Sequence, residues 1–213
     1  MTRMRFAQWL AVEPVPLVPE ILLHQAGDMQ GLWQDLGSPS PPYWAFAWLG
    51  GQALARHVLD AEVVRGKRVL DLATGSGLVA IAAAMAGASE VLACDIDPLA
   101  ADAVAANAEV NGVSVGFIGD DLLDGPALDV DVILAGDVLY EQQMATRVLA
   151  WLLEFEGLVL LGDPGRDYLP REGLVEVAAY DVPTTRELEG ADMRRTRVFR
   201  VIMTAADGGR KGR

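Results

Sequence analysis

From residue 68 onward the chain alternates short aliphatic, β-branched runs with longer alanine-rich stretches, the pattern of repeated strand–helix–strand units in a parallel sheet. The runs predict seven strands, at 68–73, 90–95, 113–118, 130–136, 157–162, 175–180 and 196–203. Between them, 78–86, 99–111 and 141–155 are long enough for helices, lack internal glycine or proline, and carry apolar residues at helical spacing. Asn111-Gly112 supplies a stop signal for the second of these. Upstream, Pro39, Pro41 and Pro42 separate two further pieces. Residues 20–36 read as a hairpin, with Ile21-Leu22-Leu23 and Gly31-Leu32-Trp33 flanking a turn at Gly27-Asp28. Residues 43–59 read as a helix whose Trp44, Trp48, Leu54 and Val58 form one face against the sheet. The expected organisation is an N-terminal extension (1–42), one α/β domain (43–204) with helices on both faces of the sheet, and a frayed, disordered tail (205–213).

A length of 213 residues fits one compact domain and leaves no room for a second catalytic one. With 52% hydrophobic and 22% charged residues the chain can bury a sizeable core. Seventeen Lys and Arg against 30 Asp and Glu give a net charge of −13, which argues against a nucleic-acid partner, since phosphate binding draws on basic side chains. Cys94 is the single cysteine, so no intramolecular disulfide can form and a reducing, cytoplasmic setting is expected. No run approaches the roughly 18 apolar residues of a membrane span, and no membrane association is expected. The Arg3- and Arg5-bearing start is interrupted by Gln8 and runs into Glu13-Pro14, unlike a signal peptide, while a transit segment stays open.

The chemistry concentrates where strands end. Val69-Leu70-Asp71-Leu72-Ala73-Thr74-Gly75-Ser76-Gly77-Leu78 reads as a buried strand entering glycines and then a helix, a nucleotide-cofactor loop in which Gly75 and Gly77 allow a sharp turn and close ligand approach. Gly75, Gly77 and Ala80 formally meet the dinucleotide pattern GxGxxA. Asp71 separates the readings. A carboxylate beside the loop repels a pyrophosphate but attracts the sulfonium and ammonium of S-adenosylmethionine. Asp95 follows Gly75 by 20 positions, a spacing that suits a ribose-binding acid, and Asp97-Pro98 suits a helix start. Asp120 and Asp121 end the third strand, where an adenine amino group could be recognised. Ala73, Thr74, Ile96 and Gly136 flank these positions and complete the candidate cofactor set.

Asp137 and Tyr140 end the fourth strand at the same edge. A lysine ε-amine suits that pair, because Asp137 can orient the cation while Tyr140 walls the channel or hydrogen-bonds the nitrogen. The amine must then lose its proton, either through a site that depresses its pKa of about 10.4 or by binding of the neutral form. No Pro-Pro pair follows, unlike the Asn-Pro-Pro-Tyr loop of adenine and amide-nitrogen methyltransferases. His24 and His57 have no spacing that suggests a metal site, and Thr74-Gly75-Ser76-Gly77 is not a nucleophile elbow.

Five segments, in order, carry a family resemblance: residues 42–54 (PYWAFAWLGGQAL), Val69-Leu70-Asp71-Leu72, Asp95-Ile96-Asp97-Pro98, Gly136-Asp137-Val138-Leu139-Tyr140 and Gly162-Asp163-Pro164-Gly165-Arg166. With them the chain resembles the seven-β-strand, class I S-adenosylmethionine-dependent methyltransferases, and among these the electron transfer flavoprotein β-subunit lysine methyltransferases. The resemblance implies a Rossmann-like, mostly parallel sheet of order 3-2-1-4-5-7-6 with the last strand antiparallel. It implies a covering segment over the cofactor with Trp44, Trp48, Gly50 and Gly51 as candidates, Asp137 and Tyr140 as an Asp-x-x-Tyr acceptor motif, and substrate contact by Asp163 or Arg166. The expected partner is a protein with exposed lysines, the flavoprotein β subunit or one like it. The alternatives are a nicotinamide-like small-molecule N-methyltransferase, a ribosomal-protein methyltransferase, and an S-adenosylmethionine-binding module without transfer. Leu49 stands where the family usually has proline.

Overall fold

The structure is a computed structural model that describes residues 6–125 and 128–202, so the expected tail lies outside the described residues. A hairpin of β1 (Leu10–Val15) and β2 (Val18–Ala26) opens it, followed by α1 (Met29–Leu36) and, after a single turn at Tyr43–Ala45, α2 (Leu49–Asp60). Then come β3 (Arg68–Leu72), α3 (Leu78–Met85), β4 (Glu90–Cys94), α4 (Pro98–Val110) and β5 (Gly116–Ile118). The chain finishes with β6 (Val132–Gly136), α5 (Gln142–Leu153), β7 (Leu158–Asp163), β8 (Leu174–Pro183), α6 (Arg186–Glu189) and β9 (Met193–Val201). Seven strands form one sheet in the order β5-β4-β3-β6-β7-β9-β8. β3 to β7 pair in parallel, and β9 runs antiparallel to both neighbours. Counted from β3 as the first strand, this is the expected 3-2-1-4-5-7-6.

Strand alternation divides the core. Val69, Val132, Leu134 and Leu160 face a cluster with α2, α3 and the hairpin residues Val15, Val18, Ile21 and Leu23. Leu70, Leu72, Ile133, Ala135, Val159 and Leu161 face the opposite cluster with α5. Successive side chains of a strand point to opposite faces, so strands covered on both sides read as continuous apolar runs, as these do.

Two sequence expectations are corrected. The hairpin turn is not at Gly27-Asp28 but eleven residues earlier, between Val15 and Val18. Asp28 instead caps α1, accepting from the Gly31 N–H, and residues 31–33 are helical. Pro14 and Pro16 disguise the true hairpin, and a largely exposed β1 carries no apolar alternation to reveal it. Likewise, 43–59 is not one helix: Phe46 is extended and α2 begins at Leu49.

That late start has a packing cause. Gly50 lies against the Gly162 carbonyl and the Asp137 backbone, and Gly136 lies against Gly51, with no side chain between helix and strands. A Cβ on Gly136 would stand 2.8 Å from the Gly51 Cα, and one on Gly162 would overlap the Gly50 carbonyl. Gly162→Ala is therefore expected to cost about 2 kcal/mol or more. Gly27→Ala, whose Cβ would meet nothing within 4 Å, should stay within about 0.5 kcal/mol of the parent. Urea unfolding of the two variants beside the parent checks this.

Candidate functional site

At the carboxyl ends of the parallel strands, where open α/β sheets hold ligands, a cavity of about 980 Å³ opens between the glycine loop, the segment from Ser38 to Trp48, and the strand-end residues up to Arg166. Its floor is built by acids bonding to backbone. Asp71, 1% exposed, accepts on Oδ2 from the Thr74 hydroxyl and, at 2.9 Å, from the Ala80 N–H in the first turn of α3. Burial pushes its carboxyl up to about 7. Asp95 accepts from the Gly75 N–H at 2.8 Å and the Asp97 N–H at 2.9 Å, and burial raises its pKa as well. Each acid thus shapes the loop, and Asp95 ties the end of β4 to it. Asp97 caps α4 through the Leu99 N–H, with Pro98 in the first turn, as the sequence suggests.

Ala73 and Asp137 both line the cavity with left-handed backbone, at φ 54° and 62°. Such conformations are uncommon outside glycine and concentrate at functional sites. Thr74, Gly75 and Gly136 join them in the wall, and Ile96 presents an apolar rim, 71% exposed. Asp120 and Asp121 both border the cavity, but Asp121 spends its carboxylate on the Leu123 N–H and on Arg147, 3.0 Å away. The Leu123 backbone bond, and after it the Arg147 guanidinium, lower the pKa of Asp121, and Arg147 also holds Asp124.

The segment from Tyr43 to Trp48 closes the cavity from above, its backbone passing 3.8 Å from where a Cβ on Gly75 would stand. Trp48 donates from Nε1 to the Tyr43 carbonyl and meets the Tyr43 ring edge-on. Tyr43 in turn lies 5.4 Å, ring to ring, from Tyr140. Tyr140 is 43% exposed at the mouth, and burial of its hydroxyl pushes the phenol up to about 12, so it stays protonated. Trp44 is buried, lines the cavity, and its indole N–H has no partner within the protein.

Asp137 is a junction. Its Oδ2 accepts from the Gly50 N–H at 2.9 Å, capping α2, and its Oδ1 accepts from Arg166 Nε at 2.7 Å. Arg166 uses its other two nitrogens to grip Glu189 of α6 in a fork, and Glu189 also holds Arg194. Burial raises the Asp137 pKa and the Arg166 guanidinium opposes it. Asp163 does not line the cavity: 1% exposed, it accepts from the Gly165 and Arg166 N–H groups and so shapes the turn that presents Arg166.

The structure gathers the sequence candidates around one cavity with three corrections. Gly50 and Gly77 lie behind the wall, packed on Gly162 and on Val104 respectively, and Asp163 stands behind Arg166 rather than at the surface. Sequence reasoning missed Tyr43, although the Pro42-Tyr43-Trp44 run carried it, and Glu189, which lies 23 residues from Arg166 with nothing in its neighbourhood to mark it. Among the described residues no group of three or more His, Cys, Asp or Glu could hold a metal ion, and no helix is long and apolar enough to cross a membrane.

Comparison with known proteins bears directly on this site. The electron transfer flavoprotein beta subunit lysine methyltransferase of Mus musculus is 40% identical over 186 residues, 81% of this chain and 73% of the mouse protein. The protein of the same name from Danio rerio is 38% identical over 197 residues, 86% of this chain and 76% of its own length. The chain belongs to the electron transfer flavoprotein β-subunit lysine methyltransferase family. Residues 52–146 also match the ribosomal protein L11 methyltransferase (PrmA) family. The crystal structure of ribosomal protein L11 methylase from Lactobacillus delbrueckii subsp. bulgaricus superimposes with a TM-score of 0.50 at 25% identity, over 70% of this chain and 77% of that one.

The methyltransferase cavity fits S-adenosylmethionine. It offers carboxylates for the sulfonium, ammonium and ribose hydroxyls, a buried indole N–H still lacking an acceptor, and a positive-φ glycine at the loop's closest approach to the covering segment. Asp71 then has a cost. Its raised pKa means the folded state holds that proton more tightly than the unfolded chain, so stability is present at low pH and is lost as pH rises from about 4 to about 7. Asp71→Asn is expected to stabilise the ligand-free protein at pH 8 by on the order of 4 kcal/mol, with little gain at pH 4. Thermal unfolding at the two pH values checks this; equal effects at both would contradict it.

Proposed function

We propose that this protein is an S-adenosylmethionine-dependent protein-lysine N-methyltransferase acting on the electron transfer flavoprotein β subunit or a similar lysine-bearing protein. The observation that carries the reading is the pairing of family membership with Asp137 and Tyr140 at the open side of the cofactor cavity. When bound, S-adenosylmethionine supplies a methyl group on a sulfonium. Asp71 and Asp95 hold the loop that would receive it, Gly75 and the flanking Ala73 and Thr74 would cradle it, Asp95 would meet its ribose, and Ile96, Asp120 and Gly136 would wall its nucleoside end. Trp44 would offer it an N–H that has no partner within the protein, and Trp48 and Gly51 keep the cover in place.

Asp137 accepts from the incoming amine with the lone pairs that Gly50 and Arg166 leave over. Tyr140, a neutral phenol, flanks the nitrogen without serving as a base. Arg166 places a fixed positive charge beside Asp137, which disfavours a second cation and helps the amine shed its proton to water. Asp163 acts through Arg166. The lone Cys94, buried against the cavity, is in keeping with a reducing cytoplasmic setting.

Incubation with labelled methyl donor and candidate proteins is expected to label lysine in the flavoprotein β subunit or a relative. Asp137→Asn should lower transfer by about 100-fold while cofactor binding stays close to that of the parent. Label found only in free amines, or no labelled lysine in any protein offered, would overturn the acceptor assignment.

A further inference from the structure

The N-terminal hairpin reaches the cofactor loop through one buried side chain. Asn107 of α4 is fully buried. Its Oδ1 accepts from the His24 backbone N–H at 2.8 Å and stands 2.9 Å from His24 Nδ1. Because a backbone N–H can only donate, the atom facing β2 is the oxygen, and Nδ1 of His24 is the protonated ring nitrogen. The amide nitrogen is left for the other side, where Nδ2 donates to the Ser76 carbonyl at 2.8 Å. Ser76 lies between Gly75 and Gly77, and Gly77 packs directly on Val104, one turn before Asn107.

One turn further along α4, Asn111 accepts from the Leu22 N–H at 2.9 Å and donates to the Leu22 carbonyl at 2.6 Å. The two asparagines therefore complete the open edge of β2, which pairs with β1 on its other side. Asn111 is half-buried and also donates to the Asn107 main-chain carbonyl at 2.7 Å, so its bonds stay with the hairpin and its own helix, whereas those of Asn107 continue to the loop. We propose that Asn107 is a positioning residue that couples docking of the N-terminal hairpin to the geometry of the cofactor loop, so that hairpin and S-adenosylmethionine stabilise one another. The inference rests on the cofactor reading and goes beyond it, since it gives the hairpin a part in cofactor affinity. Coupling of this kind is reciprocal, and each site must feel the other by the same factor. The path is short and rigid. An Asn side chain has two rotatable bonds, its partners on both sides are backbone groups, and at full burial no water can replace a lost partner.

The test uses a matched pair of isosteric changes in the full-length protein. Asn107→Asp replaces the donor facing the Ser76 carbonyl with an acceptor while keeping the oxygen that His24 uses. Asn111→Asp makes the same change facing the Leu22 and Asn107 carbonyls, with no contact to the loop. Calorimetry with S-adenosylhomocysteine, thermal unfolding, and acceptor KM at saturating methyl donor are read for both. Asn107→Asp is expected to weaken ligand binding by about tenfold or more, with acceptor KM within twofold of the parent. Asn111→Asp should lower the unfolding temperature with ligand affinity within twofold. Ligand affinity unchanged in Asn107→Asp, or lowered equally in both variants, would overturn the proposal.

Should Asn107→Asp fail to fold, hydrogen exchange on the parent protein decides the matter. S-adenosylhomocysteine should slow exchange at the His24 amide as well as at Gly75. Protection at Gly75 without any at His24 would overturn the coupling. No binding at all in the parent isotherm would overturn the cofactor reading and the coupling together, and is visible before either variant is made.

Discussion

Helix α2 meets the sheet with no side chain between them. Gly50 and Gly51 press onto Gly136, Asp137 and Gly162, and the Asp137 carboxylate caps the helix through the Gly50 N–H. This contact fixes three things at once. It brings the ends of β6 and β7 against the start of α2, it holds Asp137 in its left-handed backbone at the cavity wall, and it aims the preceding segment, Tyr43 to Trp48, back across the glycine loop. A cap is worth about 1 kcal/mol on an exposed helix, but here the capping acid is also bonded to Arg166, and Arg166 to Glu189. The helix start, the Asp137 carboxylate and the β8–β9 connection consequently form one unit. Taking away one partner of such a buried chain leaves an uncompensated charge, which costs more than the pairing contributes.

The acids of the site show how function is set against stability. Asp71 is raised to about 7 by burial, and Asp95, Asp137 and Asp163 are shifted in the same direction for the same reason. A chain selected only for stability would not hold four carboxylates at one sheet edge. In the ligand-free protein they are tolerated because each accepts backbone or guanidinium hydrogens. A cationic methyl donor, and then an amine, are the ligands that turn this cost into binding, because positive charge in a site of low polarity favours the ionised acids.

The parallel core was readable because its strands are apolar on both faces and its helices are bounded by caps. Asp97-Pro98 opens α4 and Asn111-Gly112 closes it at the places their chemistry implies. Strand order came from the resemblance, not from periodicity. The N-terminal region was misread because proline lies at 14 and 16, inside and beside a real hairpin, while Gly27-Asp28 has the composition of a turn and the role of a helix cap. Gly50, Gly77 and Asp163 read as site residues because glycine and aspartate at a strand end have two uses that one sequence does not separate, touching a ligand or allowing backbone to approach. Glu189 and the Asn107 bridge were invisible for a different reason. Their partners are distant in sequence, and a buried glutamate or asparagine carries no periodic signature.

In the proposed function, one cavity binds the methyl donor against the glycine loop and the acceptor lysine against Asp137. A crystal structure with S-adenosylhomocysteine and a lysine-bearing acceptor peptide measures this directly. The ribose is expected at Asp95, the sulfur facing Asp137 and Tyr140, and the lysine Nζ within hydrogen-bond distance of Asp137. A nucleoside bound elsewhere, or a lysine that reaches the sulfur while remote from Asp137, would contradict it.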